Sequence, residues 1–315
     1  MGEILYIVIP CYNEEAVLHE TAKRLKEKLL KLIDNGKISA KSRIVFVNDG
    51  SKDRTWEIIE ELHTDDNIYS GIKLSRNRGH QNALLSGLMT VKEYADMVIS
   101  MDADLQDDID VVDKFIDEYY KGNDVVYGVR NSRATDTFFK RTTAEGFYKV
   151  MKMFGVDIVF NHADYRLMSK RALYELEKYK EVNLFLRGIV PLIGFNSSIV
   201  EYERHERFAG ESKYPLKKML AFAFDGITSF STKLIRMVLW TGAIIFLLSI
   251  VIFAYGIIRK ITGNTVAGWT FIVCSIWMLG GIQLLCLGII GEYIGKIYSE
   301  TKARPRFIID KFINR

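Results

Sequence analysis

Residues 4–15 read ILYIVIPCYNEE, and this stretch sets the fold. Ile4–Ile9 is an unbroken apolar, largely β-branched run, which reads as a strand buried on both faces and ended by Pro10. Working outward, Glu14–Ile33 carries helical periodicity through Val17, Leu25, Leu29, Leu30 and Leu32. Strands are predicted at Arg43–Val47, Gly71–Leu74, Met97–Met101 and Asp124–Tyr127. Helices are predicted between them at Asp53–His63, about Gln81–Lys92 and near Ile109–Tyr120. Short buried strands alternating with helices predict an α/β fold with a mostly parallel, doubly wound sheet. Ligands of such sheets bind beyond the carboxyl ends of the strands. That rule directs attention to Pro10–Glu14, Asn48–Ser51, Ser75–Gly79 and Asp102–Asp107.

The chain has 315 residues, 49% hydrophobic and 26% charged, with four prolines and three cysteines. This excludes a disordered or collagen-like chain and a disulfide framework. A net charge of +4 gives no electrostatic case for nucleic acid as a partner. No Gly-x-Gly-x-x-Gly follows the first strand and no P-loop signature occurs, so dinucleotide and P-loop readings lack support.

Charge is partitioned along the chain. Met237–Ile258 gives 22 residues without a charged side chain and Ile261–Gly291 gives 31. About 20 apolar residues cross a bilayer as a helix, so each stretch is a predicted transmembrane span, at 234–258 and 267–294. Trp240 and Trp269 lie near span ends, where indole suits the interface. Lys217, Lys218, Lys233 and Arg236 precede the pair; Lys296, Lys302, Arg304, Arg306, Lys311 and Arg315 follow it. Cationic flanks on the outer ends predict both termini in the cytoplasm. No signal peptide is expected ahead of Ile4, because the first apolar run is short and lacks a basic leader. Pro215–Phe230 is expected to be an interfacial helix, with Leu216, Met219, Leu220, Phe222, Ala223 and Phe224 opposite Lys217 and Lys218, within a juxtamembrane region 215–233. An ordinary core helix is the competing reading. The expected organisation is a cytoplasmic catalytic domain over 1–214, these two membrane segments, and a cytoplasmic tail over 295–315.

The polar strand ends carry the chemistry. Asp102-Ala103-Asp104 sets two carboxylates one residue apart at a strand end. They repel each other unless solvated or bound to a hard divalent cation such as Mg²⁺ or Mn²⁺. Asp49 is suited to accept from a base N–H or a ribose hydroxyl, while Ser51 or Asp53 is equally suited to cap the next helix. Tyr12 suits stacking on a base and Glu14 a ribose hydroxyl; an N-cap at Asn13 followed by first-turn acids is the alternative.

IPCYNEE, VNDGS, SRNRGHQNAL and DADLQDD, in this order, resemble glycosyltransferase family 2 over roughly residues 4–215. With the C-terminal hairpin, the whole chain is similar to bacterial polyprenyl-phosphate glycosyltransferases, bactoprenol glucosyltransferases and relatives of dolichol-phosphate mannose synthase. The resemblance implies a GT-A fold, a nucleotide-diphospho-sugar transferase domain with a Rossmann-like sheet. It implies donor-nucleotide contacts from Pro10, Tyr12, Glu14, Asp49, Ser51 and Asp102, with Arg76–Gly79 bordering the nucleotide cleft and Arg78 and Gly79 among the binding residues. It assigns Asp102 and Asp104 to the divalent metal, Mg²⁺ or Mn²⁺, on the diphosphate. Gln106 and Asp107 would lie near the sugar. His80 reads as a helix-start residue rather than a metal ligand. Asp164, in Ala163–Leu167 (ADYRL), matches the acceptor-side carboxylate, a group often assigned as a base. A phosphate monoester is already largely dianionic at neutral pH, so Asp164 is suited instead to orienting the sugar or shaping the acceptor pocket. Arg204, Arg207, Lys213 and Tyr214, in ERHERFAGESKYPL, are implied to bind acceptor phosphate and diphosphate, Arg204 and Arg207 bidentately; attraction of a basic juxtamembrane stretch to lipid headgroups is the bland alternative.

The implied reaction is inverting transfer of a hexose, UDP-glucose being the first choice of nucleotide sugar, to undecaprenyl phosphate at the cytoplasmic face of the cell membrane. Relatives suggest a homo-tetramer. The tail strand Arg306–Ile309 suits either pairing between subunits or docking on its own. Rival readings are a polysaccharide synthase, which wants a Gln-x-x-Arg-Trp segment and more spans, a soluble nucleotidyltransferase, and a non-catalytic nucleotide-binding scaffold.

Overall fold

The structure is a computed structural model. It describes residues 2–130, 162–182, 185–203 and 269–314, with scattered positions between 235 and 258. The chain divides into two compact units. One comprises Met1–Lys149, Asp157–Pro215 and Arg304–Arg315; the other comprises Val150–Val156 and Leu216–Ala303.

The first unit holds an eight-stranded sheet. Its strands are β1 (Leu5–Cys11), β2 (Arg43–Asn48), β3 (Tyr69–Leu74), β4 (Met97–Ser100), β5 (Val125–Arg130), β6 (His162–Ser169), β7 (Ser197–Tyr202) and β8 (Ile309–Ile313). The order across the sheet is β7-β5-β6-β4-β1-β2-β3-β8. β6 and β8 run against the other six. Every residue of β1 is buried, as expected of a strand covered on both faces. Helices α1 (Leu18–Asp34), α2 (Thr55–Asp65) and α4 (Val112–Tyr120) cover one face, around Leu5, Ile7, Ile9, Ile44 and Phe46. Helix α3 (His80–Val91) crosses the other face over β1 and β2. In α1, Leu18, Ala22, Leu25, Leu29 and Leu32 form the buried stripe, at the spacing of one helix face. Short helices α5 (Lys170–Glu177) and α6 (Leu186–Leu192) flank β6 and β7.

Most predicted elements recur within two or three residues, and the departures have physical reasons. β1 does not stop before Pro10; it continues through Pro10 to Cys11. Pairing of β1 with β4 ends at Val8–Ser100, so the N–H that proline lacks falls on a side where no strand continues. Pairing with β2 persists to Cys11–Asn48. Helix α1 begins at Leu18 rather than Glu14, because residues 14–17 form a separate turn in which the Glu14 carbonyl accepts from Val17 and Leu18. β5 runs on past Tyr127 to Arg130, supported by β7 on its outer side. Strands β6 and β7 are absent from the sequence pattern of apolar runs. The tail strand lies at Ile309–Ile313 rather than Arg306–Ile309 and pairs antiparallel with β3 of the same chain.

In the second unit, helix α7 runs from Trp269 to Lys302. Among the described residues it is the one helix long and apolar enough to cross a membrane, over Met278–Lys302. Most of the first predicted span and all of Pro215–Phe230 lie outside the described residues, as do Arg204, Arg207, Lys213 and Tyr214. The described positions between 235 and 258 are helical.

Candidate active site

The chain order reverses at β1, which has β2 on one side and β4 on the other. The loops after β1, β2, β3 and β4 therefore meet at one edge of the sheet, the switch-point position where open α/β sheets bind ligands. The first two are laced together. Asn13 donates its backbone N–H to Ser51 Oγ at 3.0 Å, and Lys52 N–H returns one to Asn13 Oδ1 at 2.9 Å. Glu14 N–H reaches Thr55 Oγ1 at 2.9 Å, and Arg54 N–H reaches Glu15 Oε2 at 3.0 Å. Ser51 N–H binds Asn48 Oδ1, and Asp53 Oδ1 accepts from both the N–H and the hydroxyl of Thr55. Asn13 and Ser51 are thus cross-loop ties rather than helix caps. Pro10 lies in β1 below them, one residue before its end, and Tyr12 projects with 39% of its surface exposed.

Asp49 organises the third loop. Buried at the end of β2, it accepts from Arg78 N–H at 2.7 Å and from Gly79 N–H at 2.9 Å, one on each carboxylate oxygen. Burial raises its pKa, and these two bonds offset part of that rise. Gly50 permits the approach. It sits at φ +64°, and a Cβ there would lie 2.5 Å from the backbone nitrogen of Asn77. Gly79, at φ +86°, makes the turn into α3. The clamp gives Asp49 a structural task that its residue type alone did not reveal.

The acidic loop follows β4. Asp102 has a side chain 37% exposed, and Asp104 Oδ1 accepts from Gln106 N–H at 3.2 Å. Asp107 turns inward instead. It is buried, takes the Tyr202 hydroxyl on Oδ1 at 2.5 Å, and has Arg130 at 3.5 Å. Its Oδ2 is buried without a hydrogen-bond partner among the described residues. Burial, reinforced by the charge of Asp102, raises its pKa to about 6 against the pull of Arg130 and Tyr202.

Asp164 reaches the same edge from β6. Because β6 runs antiparallel, with Arg166 in register with Ser100, its beginning lies beside the end of β4. The buried Asp164 carboxylate is gripped by Arg166 Nη2 at 2.6 Å and by Arg187 Nη2, from α6, at 3.0 Å. Burial favours the neutral acid, yet Arg187 and Arg166 hold its pKa far below the usual carboxylate range. His80, the first residue of α3, stands between the two acidic groups, with Nε2 3.5 Å from Asp102 and 3.7 Å from Asp164. Gln81 Oε1 accepts from Leu186 N–H at 2.9 Å, tying α6 to the same helix start.

The edge therefore gathers Tyr12, Asp49, Ser51, Arg78, Gly79, Asp102, Asp104, Gln106, Asp107 and Asp164. Sequence reasoning missed Arg130, Arg166, Arg187 and Tyr202, and gave His80 no site role. A signal existed for Arg187, a single cation inside the apolar run LFLRGIVPLIG, which marks a paired rather than a solvated charge. Among the described residues no group of three or more His, Cys, Asp or Glu side chains is placed to hold a metal. Asp102 and Asp104 offer hard oxygen ligands, the donor set of a cation that completes its shell with phosphate oxygens and water.

Comparison with known proteins now defines the class. The model of glycosyl transferase family 2 matches residues 6–177. The uncharacterized glycosyltransferase YkoT of Bacillus subtilis is 56% identical over 98% of this chain and 91% of its own length. The bactoprenol glucosyl transferase of Shigella phage SfX is 40% identical, covering 96% of this chain and 97% of its own. The prophage bactoprenol glucosyl transferase homolog of Escherichia coli is 39% identical over 97% and 98%. A solved glucosyl-3-phosphoglycerate synthase from Mycobacterium tuberculosis, in complex with Mn²⁺, UDP and glucosyl-3-phosphoglycerate, covers 72% of this chain and 78% of its own at 15% identity, with a TM-score of 0.42. The chain belongs to glycosyl transferase family 2, and it is a glycosyltransferase.

Proposed function

We propose that this glycosyltransferase moves a hexose, glucose from UDP-glucose in the first instance, to a polyprenyl phosphate such as undecaprenyl phosphate at the cytoplasmic membrane face. The product would supply a lipid-linked sugar for modifying cell-envelope glycans. The observation that carries the reading is the likeness to bactoprenol glucosyl transferases, which runs through the apolar C-terminal region as well as the sheet. An acceptor with a lipid tail fits a chain that carries a long apolar helix in its C-terminal region. The hairpin, with both termini cytoplasmic and the juxtamembrane segment 215–233 at the interface, is part of this proposal.

Nucleotide binding is assigned to the Pro10–Glu14 and Asn48–Ser51 loops with Arg78 and Gly79. Asp102 and Asp104 would hold Mg²⁺ or Mn²⁺, which when bound neutralises charge developing on the departing diphosphate. A phosphate monoester has its second pKa near 6, so its oxygen arrives as an anion at neutral pH and needs no base. Asp164 fits this division of labour. Two arginines keep it ionised and poorly basic, so it acts as a fixed acceptor for a hydroxyl or as a wall of the acceptor pocket. Arg204 and Arg207, with Lys213 and Tyr214, are assigned to the phosphates. The phosphate oxygen bonds to the anomeric carbon as the bond to the nucleoside diphosphate breaks. A single displacement inverts that centre, giving a β-linked lipid phosphate from a UDP-α-hexose.

The test is a panel of radiolabelled nucleotide sugars with undecaprenyl phosphate and Mg²⁺ or Mn²⁺, counting label in the lipid phase. Label from UDP-glucose is expected, with a drop of about 10²–10³ under chelation or in Asp102→Ala/Asp104→Ala. Label from no donor, or full transfer by the double variant under chelation, rejects the proposal.

A further inference from the structure

The last strand of the sheet is built from the chain after α7. After a six-residue connection from Lys302, β8 adds to the outer edge of β3, with Gly71 opposite Ile313, Ile72 opposite Phe312 and Lys73 opposite Lys311. Side chains anchor the tail to its surroundings. Lys311 meets Glu60 at 2.5 Å, Ser70 donates to Asn314 Oδ1 at 2.9 Å, and Arg306 donates to the Tyr179 carbonyl at 2.7 Å. The ladder shifts between Lys73 and Leu74, and beyond the shift Ser75 N–H donates to the Ile308 carbonyl at 3.0 Å.

Ser75 opens the loop whose other end is clamped by Asp49. Ser75–Gly79 is thus anchored at its start by the C-terminal tail and at its end by the carboxylate of Asp49. Its middle rests against Gly50, where the backbone of Arg76 and Asn77 leaves no room for a methyl group. β8 itself contributes little core: Ile309, Asp310 and Lys311 are exposed, and none of its residues is fully buried. An edge strand with so little buried area holds a position more than it holds the fold together.

We infer that the C-terminal strand is a positioning element for nucleotide binding: by fixing Ser75, it seats the Ser75–Gly79 loop against Asp49 and Gly50. The inference rests on the reading that this end of the sheet holds the nucleotide, and it goes further by giving a part in that site to residues 306–314, remote in sequence. The physical route is short. Freeing Ser75 lets the loop swing about Gly79, and the backbone amides of Arg78 and Gly79 then leave Asp49 part of the time. Nucleotide binding has to re-form that arrangement, at a cost in affinity.

The experiment titrates UDP, with Mg²⁺ present, into the full chain in detergent and into a variant ending at Pro305. Thermal unfolding is recorded on both, and the peptide RFIIDKFINR (306–315) is then added to the shortened protein. The expected result is UDP affinity lower by about fivefold, the worth of one backbone hydrogen bond. Unfolding should shift little, and the peptide should restore affinity. Affinity within about twofold of the full chain in a folded shortened protein overturns the inference. Hydrogen–deuterium exchange on the unaltered chain decides the matter if the shortened protein does not fold. UDP should slow exchange at 75–79 and 309–313 together, and protection of 75–79 alone overturns it. Failure of the full chain to bind UDP at all removes the nucleotide reading and the inference with it.

Discussion

Asp164→Asn separates electrostatic support from catalysis. Arg166 is 2% exposed, and it donates to Asp164 at 2.6 Å and to the Leu186 carbonyl at 3.5 Å, while its Nε has no partner among the described residues. Arg187, a third exposed, can turn toward water when the carboxylate is neutralised; Arg166 cannot. An amide at 164 keeps one hydrogen bond but leaves the Arg166 charge uncompensated in the interior. Breaking a buried pair in this way costs about 3–5 kcal/mol, and the retained hydrogen bond puts the expectation at about 3. For a unit of this size that is a fall in unfolding temperature of roughly 6–12 °C. Removing both charges, in Asp164→Asn/Arg166→Met, should recover most of the loss, because an apolar replacement for a buried pair is often neutral. Thermal unfolding of the full chain measures the stability, and UDP titration with lipid-phase label counting separates binding from turnover. UDP affinity should stay within about threefold while turnover falls in both variants. An unchanged unfolding temperature for Asp164→Asn would refute the pairing argument, and equal losses of UDP affinity and turnover would refute an acceptor-side role.

Two further outcomes follow from neighbouring residues. Asp107 carries a pKa raised to about 6 from 3.8, so its proton is favoured in the folded state. The resulting stability is present below about pH 4 and is lost as pH rises through about 6, a change of about 3 kcal/mol at most. Asp107→Asn should remove that slope from a thermal-unfolding series between pH 4 and 8, and parallel curves for the two proteins would rule the effect out. Gly50→Ala combines a positive φ with a Cβ 2.5 Å from the Asn77 nitrogen, whereas Gly79→Ala meets no atom of the described residues within 4 Å. Backbone strain alone costs about 1–2 kcal/mol, so Gly50→Ala should lose more stability than Gly79→Ala and weaken UDP binding further; equal losses in the two would contradict the packing of the loop on Gly50.

Strands β1, β2 and β4 were legible because their runs are almost wholly apolar, whereas β3, which carries Ser70 and Lys73, was legible only over Gly71–Leu74. Ile4–Ile9, Arg43–Val47 and Met97–Met101 have no polar residue facing either layer of helices until their ends. Those ends were legible for the same reason: a polar cluster directly after such a run has to lie at the carboxyl edge. β6 was not legible. Its sequence, HADYRLMS, places Asp164 and Arg166 in the interior, and an ion pair satisfied across two residues looks like a surface loop to any reading based on hydropathy. β7 hid similarly, since SSIVEY turns several side chains outward. The partners of the site, Tyr202 on Asp107 and Arg187 on Asp164, lie 95 and 23 residues away in sequence. Only the sheet order brings them together, and no local pattern encodes that.

The reversed direction of β6 has a consequence for how such a catalyst diversifies. The chain leaves β5 at Arg130 and re-enters the sheet at His162 on the edge that carries Asp49, Asp102 and Asp164, so a connection between those points departs from and returns to that edge. Homologous chains can therefore differ in the length of that connection without disturbing the pairing of β6 with β5 or with β4.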